Sequence, residues 1–451
     1  MVAAVSHPFD SAGAVRLYPG VSVVIPVYNR PESLTLSLAA LADQSLARDD
    51  FEVLVVDDGS RGPDHLAIVQ SFETRLDLRY IYQSDLGFRA AAARNQGIAL
   101  ARRTAIMLLD AGVILPQNVL AAVWEAHRAD PDVALIGTVH GLQPAPDNDP
   151  QLEPIRVSRH PGALVTDALM VQYPDPRHAI YAAFDSDLSQ FIAPWNHYWT
   201  ALTTAPTRAL RAIGGFDETY TSWGIEDLEC GYRLMAWGVH FRWNPAVRGL
   251  HFPHDVSYPR DNGPNWQKFY ARHPAVAIEV KLTVPSVRLE QALRSLPGYG
   301  GKPPRPPSPI VAEWIAQVTT SARSWVLFAE TETEWADPTP ETGRVFSMVD
   351  ADQAPPHTLP GLGTRTSWPD GSVAVSVIGT WWSQLDIGLQ RTLLLEAFRL
   401  SRNAVYLICP MDPALLSRFL ADWQFTAELD DDGQGVFRLS KKPSVSKSAR
   451  A

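Results

Sequence analysis

The run Val21-Ser22-Val23-Val24-Ile25-Pro26 decides the fold class of this 451-residue chain. It is apolar and rich in β-branched residues, which is typical of a parallel strand buried on both faces, and Pro26 ends it. Leucines at helical spacing follow over residues 34–41, and Phe51-Glu52-Val53-Leu54-Val55-Val56 is a second strand. A strand, a helix and a strand in this order predict a right-handed α/β unit, with a mostly parallel sheet between helices.

Two polar loops follow these strands. The first is Pro26-Val27-Tyr28-Asn29-Arg30, and the second is Asp57-Asp58-Gly59-Ser60. Because parallel sheets bind ligands beyond the carboxyl ends of their strands, both loops are predicted to face one crevice. Taken alone, the second loop favours a simple turn, since Asp and Gly dominate turns for backbone reasons.

A third strand and a helix continue the pattern. Residues 85–97 predict an Ala-rich helix entered through a glycine, in which Arg94 could be a surface charge. Ala105-Ile106-Met107-Leu108-Leu109 is another buried strand, and it ends in Asp110-Ala111-Gly112. An acidic residue therefore follows this strand too.

A later helix carries two neighbouring acids. Apolar residues recur at i, i+4 and i+7 from Leu228, and Gly238 supplies a C-terminal stop. Glu226 and Asp227 fall in the first turn, where unpaired N–H groups and the helix dipole favour negative charge. Their directions differ by roughly 100°, so one acid can orient a substrate while the other accepts a proton. The alternative is that both merely cap the helix.

The residues ahead of this helix form two motifs, Gly214-Gly215-Phe216-Asp217-Glu218 and Trp223-Gly224-Ile225-Glu226-Asp227. Together they resemble the acceptor-site motif of inverting, nucleotide-sugar-dependent family 2 glycosyltransferases of the GT-A fold. They are closest in style to chondroitin-synthase-type and galactosyltransferase modules. The resemblance implies that Asp227 is the general base, that Glu226 binds the acceptor hydroxyl, and that Trp223 contributes to the acceptor site.

The earlier motifs match the same family in the same order, including Gly-Phe-Arg-x-Ala-x-Ala-Arg-Asn over residues 87–95. By this resemblance the aspartates accept hydrogen bonds from the base and ribose, and a cation near the diphosphate stabilises the leaving group. The implied donor-nucleotide residues are Pro26, Tyr28, Asn29, Arg30, Asp57, Asp58, Arg94 and Asp110.

The family's Asp-x-Asp metal motif departs from its pattern here, because Gly112 replaces the second acid. One lost ligand should weaken binding of Mn²⁺ or Mg²⁺ without abolishing it, since magnesium needs only one or two carboxylates plus phosphates. The resemblance implies Asp110 and His251 as metal ligands, with His254 in reserve. The histidines could instead be structural, or basic side chains could replace the metal, the candidates being Arg94, Arg248 and Lys268.

Residues 137–193 are rich in Pro, Asp and His, and they lie where this fold carries its variable acceptor-binding insertion. An aromatic cluster follows over residues 191–199. Such a cluster could stack on a sugar, but the core interpretation is favoured.

The composition limits the partners and the compartment. The chain has 39 basic and 49 acidic residues, a net charge of −10, which argues against a nucleic-acid surface. Cys230 and Cys409 have no metal or disulfide spacing and are predicted to be buried thiols in a reducing compartment. No leader is visible over residues 1–20, and no apolar run reaches a membrane span. The sequence therefore predicts a soluble, cytoplasmic protein.

Five segments are predicted: an arm (1–20), the GT-A domain (21–282), a Pro/Gly-rich linker (283–309), an accessory α/β domain (310–440) and a disordered tail (441–451). The accessory domain, with a closing hairpin at Asp431-Asp432-Gly433, resembles the second half of a class I methyltransferase. No Gly-x-Gly-x-Gly turn precedes it, so cofactor binding is not predicted. Acceptor recognition or homodimer formation is the expected role.

The combined prediction is an inverting transferase that moves a hexose-type sugar from a nucleotide sugar, in particular a UDP-sugar. The acceptor is a glycan, a peptide or a small molecule, joined through oxygen or sulfur. One alternative is a nucleotidyltransferase, which would have no use for the motif at 223–227. The other is a catalytically silent nucleotide-sugar-binding protein, which the loss of the second acid at Gly112 suggests.

Overall fold

The structure of the chain is a computed structural model. It describes residues 16–142, 149–253, 261–296, 309–322, 324–328, 343–347, 358–360, 362–364, 366, 368–409, 411–430 and 435–441. The chain divides into a first unit, Met1–Phe269, and a second unit, Tyr270–Ala451. His254, most of the predicted arm and tail, and residues 297–308 of the predicted linker lie outside the described residues. Leu289–Arg294, which the sequence analysis places in the linker, form a helix.

The described part of the first unit is built on one mixed sheet of eight strands in the order β3-β2-β1-β4-β7-β6-β8-β5. The strands are β1 (Tyr18–Val27), β2 (Phe51–Asp57), β3 (Leu78–Tyr82), β4 (Arg103–Leu109), β5 (Val113–Ile114), β6 (Val133–His140), β7 (Leu202–Pro206) and β8 (His240–His251). Strands β1 to β4 are mutually parallel, and β8 is parallel to β6. Strand β7 is antiparallel to β4 and β6, and β5 is antiparallel to β8. The predicted mostly parallel α/β fold is confirmed.

Helices cover both faces of this sheet. They are α1 (Pro31–Ala42), α2 (Asp64–Phe72), α3 (Ala90–Leu100), α4 (Val119–Ala129), α5 (Glu153–Arg156), α6 (Pro161–Leu164), α7 (Asp167–Gln172), α8 (His178–Ala182), α9 (Thr207–Ala212), α10 (Glu226–Trp237) and α11 (Gly263–Arg272). Successive residues of β1 alternate between two cores: Val23 packs with α1, α2 and α4, whereas Val24 packs with α3, α9 and α10. Burial on both faces explains why residues 21–27 of β1 are apolar apart from Ser22.

Helix α10 runs from Glu226 to Trp237, and Gly238, with a φ of 102°, is its C-cap, as predicted. Its buried stripe differs from the expected one. Leu228 is buried, but Tyr232 is only half-buried, and the small Cys230 and the larger Leu234 lie fully inside. The helix is covered on a second side by the 3-10 segment Pro194–His197, which shifts the buried face.

The second unit is a separate α/β body. Its described strands are β9 (Trp325–Phe328), β10 (Gly343–Ser347), β11 (Thr358–Pro360), β12 (Val373–Ile378), β13 (Ser401–Ile408), β14 (Phe425–Leu429) and β15 (Val436–Lys441). Its described helices are α12 (Val276–Lys281), α13 (Leu289–Arg294), α14 (Pro309–Ser321), α15 (Ile387–Leu400) and α16 (Pro413–Ala421). The sheet order is β11-β10-β9-β12-β13-β15-β14, and only β15 runs antiparallel to its neighbours. The turn of the predicted hairpin lies outside the described residues.

Residues 270–282 belong to the second unit, although the sequence places them in the first domain. Glu279 of α12 is fully buried, and its carboxylate accepts hydrogen bonds from the backbone N–H groups of Leu362 (2.8 Å) and Thr364 (2.6 Å). This contact spans more than eighty residues, so no local pattern marks it. In the described ranges of the chain, no helix is long and apolar enough to cross a bilayer.

Candidate active site

The loops after β1 and β2 form one wall at the carboxyl ends of the strands. Asp58 N–H donates to the Val27 carbonyl at 2.8 Å, and Asn29 N–H donates to Ser60 Oγ at 2.7 Å. Arg61 N–H completes the contact by donating to Asn29 Oδ1 at 2.9 Å. The structure thus brings the two predicted donor loops together in one crevice.

The two aspartates of the second loop are held by protein groups. Asp57 is 1% exposed, and its carboxylate accepts from Ser60 N–H (2.7 Å) and from the Tyr80 hydroxyl (2.6 Å). Asp58 accepts from the Gln83 side-chain amide, and burial raises its pKa above the ordinary range. The Asp57 carboxylate is therefore engaged in holding its own loop.

The first loop offers the more accessible groups. Tyr28 is 42% exposed, and its hydroxyl donates to Asp85 Oδ2 at 3.1 Å. Pro26 is half-buried, and Arg30 N–H donates to His65 Nε2 at 3.1 Å. An exposed aromatic ring beside paired loops is suited to a nucleotide base.

Arg94 lies at the centre of the site. Its Nη2 is 3.1 Å from Asp110 Oδ1, and its Nη1 is 2.9 Å from Glu226 Oε1. Its guanidinium carbon also lies 5.4 Å from the centre of the Phe216 ring. Arg94 is 5% exposed, whereas the Asp110 side chain is 36% exposed. One buried cation thus joins the acid that follows β4 to the first acid of α10.

Asn95 fastens the Gly-Gly-Phe-Asp-Glu turn to α3. Its Nδ2 donates to the Phe216 carbonyl (2.8 Å) and to Glu218 Oε1 (2.9 Å), and its Oδ1 accepts from Phe216 N–H (2.7 Å). The Arg-Asn pair and the distant turn are therefore parts of one structure.

The approach to α10 is strained and clamped. Ile225 has a φ of 80°, a left-handed conformation that costs a β-branched residue about 1–3 kcal/mol. Buried Asn265 of α11 holds the preceding loop, because its Nδ2 donates to the carbonyls of Gly224 (2.8 Å) and Ser222 (3.2 Å). The sequence analysis missed Asn265, since a lone asparagine some forty residues from its partners carries no motif.

Glu226 and Asp227 differ in environment, as two acids with separate tasks should. Glu226 Oε1 is held by Arg94, while its Oε2 is buried without a hydrogen-bond partner among the described residues. Asp227 Oδ1 accepts from Leu228 N–H at 2.8 Å. Burial and the Glu226 charge raise the pKa of Asp227 to about 7, although Arg94 opposes the rise. A carboxylate with that pKa can exchange a proton at neutral pH.

This pKa leads to a test of the base. If Asp227 must be ionised to accept a proton, kcat/KM for nucleotide-sugar turnover should rise with pH through an apparent pKa of about 7 and level off above it. Initial rates of nucleoside diphosphate release from pH 5 to 9 measure this profile. An apparent pKa near 4 would contradict the environment assigned to Asp227.

The candidate metal ligands are one carboxylate and one nearby histidine. His251 pairs with Val113 across β8 and β5, and Phe252 N–H donates to the Gly112 carbonyl at 2.9 Å, so the end of β8 runs beside the Asp110 turn. No group of three or more His, Cys, Asp or Glu side chains in the described ranges could hold a metal. This donor set fits a cation shared with substrate phosphates, because Mg²⁺ needs only one or two carboxylates there.

Gly112 cannot simply be reverted to the family's acid. Its φ is 100°, and an added Cβ would lie 3.3 Å from Ser33 Cβ and Oγ. Gly112→Asp is therefore expected to lower the melting temperature without creating tight Mn²⁺ binding. Gly62→Asp is the matched control, because Gly62 has a φ of 82° and open space around it. Thermal unfolding and Mn²⁺ titration of both variants test this; unchanged stability with tighter Mn²⁺ binding in Gly112→Asp would contradict it.

The other two basic side chains considered as replacements for the metal, Arg248 and Lys268, have partners away from Asp110. Arg248 Nη2 is 2.6 Å from Asp167 Oδ1, and Lys268 Nζ lies 4.9 Å from the centre of the Tyr220 ring and donates to the Thr219 carbonyl. Neither contact includes Asp110.

The aromatic cluster before β7 is core, as favoured. Trp195 and Tyr198 are fully buried, and Trp195 packs edge-on against Phe269. A buried ion pair supports this segment: Arg177 contacts Asp175 at 2.6 Å and donates to the His197 carbonyl at 2.8 Å. The sequence analysis did not single out this pair. Trp223 is half-buried next to the acids of α10.

Comparison with known proteins identifies the family. The model "Glycosyl transferase family 2" matches residues 22–181, and "N-terminal domain of galactosyltransferase" matches residues 183–255. Validoxylamine A glucosyltransferase of Streptomyces hygroscopicus subsp. limoneus is 36% identical over 286 residues, covering 61% of this chain and 62% of that protein. Chondroitin synthase of Pasteurella multocida (strain Pm70) is 30% identical over 233 residues, covering 49% of this chain and 24% of that protein.

The chain thus spans less than two thirds of the length of these relatives. Among solved structures, S. aureus TarS 1-349 in complex with UDP-GlcNAc has a TM-score of 0.40 and 15% identity, covering 67% of this chain and 74% of that one. The family models span the donor loops, Asp110 and both acids of α10, and they confirm the resemblance drawn from the motifs. Over residues 22–181, therefore, the chain belongs to glycosyltransferase family 2.

Proposed function

We propose that the first unit transfers a hexose-type sugar from a nucleotide sugar, a UDP-sugar in the leading hypothesis, to an acceptor with inversion at the anomeric carbon. The main support is the pair of contacts that Arg94 makes with Asp110 and Glu226, which places both acids in one site next to Asp227. The names of the relatives, a glucosyltransferase and a chondroitin synthase, support sugar transfer.

The reaction is a single displacement. Asp227 accepts the proton of the attacking acceptor hydroxyl, while buried Glu226 Oε2 accepts a hydrogen bond from another hydroxyl of the acceptor and so orients it. The acceptor oxygen attacks the anomeric carbon from the face opposite the diphosphate. The bond from that carbon to the phosphate oxygen breaks, and its electron pair leaves with the nucleoside diphosphate. A sulfur nucleophile would follow the same course.

On the donor side, Tyr28 contacts the base, and the clamped loops of Asn29, Asp57 and Asp58 bind the nucleoside. Asp110 and His251 would hold a Mn²⁺ or Mg²⁺ ion, which supplies positive charge to the diphosphate when bound. Trp223 faces the acceptor, whose class as glycan, peptide or small molecule stays open in this proposal. A homodimer through the second unit and a cytoplasmic location stay predictions.

A donor panel tests the proposal. UDP-, GDP- and dTDP-sugars are incubated with the full chain in Mn²⁺, Mg²⁺ or EDTA, and free nucleoside diphosphate is measured. Turnover of one donor supports the transferase and names its sugar, and loss of turnover in EDTA supports the cation. Pyrophosphate release would favour a nucleotidyltransferase. Donor binding by thermal shift without turnover, even with candidate acceptors, would favour a silent binding protein.

A further inference from the structure

Arg94 contacts an acid of the donor side and an acid of the acceptor side at once. Each terminal nitrogen binds one carboxylate, Nη2 at Asp110 and Nη1 at Glu226. The side chain is 5% exposed and its guanidinium lies over the Phe216 ring. Little of its surface is left for a ligand, although the resemblance implies a place near the diphosphate.

The charge count points the same way. One guanidinium faces two carboxylates, so the cluster is already negative before any donor binds. A diphosphate would add more negative charge to this cluster. Because the Arg94 charge is already offset by two carboxylates, Arg94 does not make the site positive for a diphosphate. The positive charge required at the diphosphate must come from another group.

The packing around Arg94 instead serves Glu226. Asn95 holds the backbone of Phe216 through two hydrogen bonds of 2.7 and 2.8 Å and contacts Glu218 through a third of 2.9 Å. The Phe216 ring lies against the Arg94 guanidinium. Arg94 Nη1 then holds Glu226 Oε1, which leaves Oε2 buried and without a partner among the described residues. A buried acceptor atom kept open in this way is suited to a hydroxyl donor from a ligand.

We propose that Arg94 is a positioning residue for acceptor binding rather than a diphosphate contact. Through Nη1 it orients Glu226 Oε2 toward a hydroxyl of the acceptor other than the attacking one, and through Nη2 it fixes Glu226 relative to Asp110. The inference rests on the proposed function and names the part that Arg94 plays in it.

Arg94→Lys and Arg94→Gln test the proposal. Lysine keeps the charge but lacks the planar fork that reaches two carboxylates, so Glu226 loses its fixed orientation. Since misplacement of a reacting group by about 1 Å can cost about 100-fold in rate, kcat should fall about 100-fold in Arg94→Lys and further in Arg94→Gln. The Kd of UDP, measured by calorimetry with Mg²⁺, should stay within about threefold of wild type.

Arg233→Lys is the matched control. Arg233 binds Glu229 on the same helix through Nε and Nη2, both at 2.7 Å, and its Nη1 donates to the Ile213 carbonyl, so its polar contacts lie away from Asp110 and Glu226. Its variant should keep both kcat and UDP affinity. If it loses as much kcat as Arg94→Lys, the effect is general loosening of α10 and the proposal is overturned.

The two readouts separate the outcomes. UDP affinity that falls in parallel with kcat would show that Arg94 contacts the diphosphate and would overturn the inference. An unchanged kcat in Arg94→Gln would also overturn it. If wild type releases no nucleoside diphosphate from any sugar nucleotide, even with candidate acceptors, the proposed function fails and the positioning role fails with it. UDP binding separates this failure from that of the Arg94 assignment alone, because weakened UDP binding in Arg94→Lys would place Arg94 at the diphosphate, whereas retained binding supports its exclusion from that contact.

Discussion

Asp227→Asn is expected to lower sugar transfer by about 1,000-fold while UDP still binds. Asparagine is close in shape but cannot accept the acceptor's proton, and general-base catalysis contributes about 10²- to 10⁴-fold. The Asp227 carboxylate accepts a hydrogen bond from Leu228 N–H within α10 and, in the described part of the chain, not from the donor loops, so the substitution should leave those loops undisturbed. Nucleoside diphosphate release and UDP calorimetry measure the two effects. Transfer that survives the substitution would show that another group is the base.

The same variant should be more stable than wild type above pH 7. The pKa of Asp227 is about 7 in the folded protein against an ordinary 3.8, so ionisation of this carboxyl disfavours the folded state. Three pKa units correspond to on the order of 4 kcal/mol. Below about pH 4 this carboxyl costs the wild type no free energy of unfolding. Between pH 4 and pH 7 the free energy of unfolding of the wild type falls progressively relative to that of Asp227→Asn.

Urea titrations of both proteins at pH 4.5, 6 and 8 test this difference. The gap in the free energy of unfolding should widen from pH 4.5 to 8 in favour of the variant. A gap that is constant with pH would contradict the raised pKa.

Asp175→Asn is expected to destabilise the first unit by about 3–5 kcal/mol, because it leaves a buried cation without its counter-charge. Asp175 and Arg177 are each 1% exposed. The Asp175 carboxylate accepts from Arg177 Nη2 (2.6 Å), from Arg177 N–H (2.9 Å) and from Val139 N–H (2.8 Å). Loss of this anchor should loosen the end of β6 and the segment before β7.

The surface pair of Asp132 with Arg208 supplies the control, since both side chains are well exposed and such pairs contribute at most about 1 kcal/mol. Urea unfolding compares Asp175→Asn with Asp132→Asn, and hydrogen exchange of the peptide over residues 133–140 locates the change. Equal losses in the two variants would show that burial does not set the strength of the Asp175 pair.

Three of the eight strands of the first unit's sheet could be predicted locally. The apolar runs at 21–26, 51–56 and 105–109 are strands because they are buried on both faces, and residue composition reflects that burial. Strands β3, β5, β6, β7 and β8 were not predicted. Strand β7 contains two threonines and a proline, and β8 contains Pro245, so their pairing with β4 and β6 decides their state.

The sequence by itself determined the family, the order of the motifs and the place of Glu226 and Asp227 in the first turn of a helix. These are properties of short stretches, in which spacing and residue type carry the information. Only the tertiary structure decided which partner Arg94 takes, since Glu226 is 132 residues away. It likewise decided that Asp57 is held inside and that Asn265 clamps the loop before α10. The partner of a long or polar side chain depends on what the fold brings within about 3 Å of it, and no local pattern records that distance.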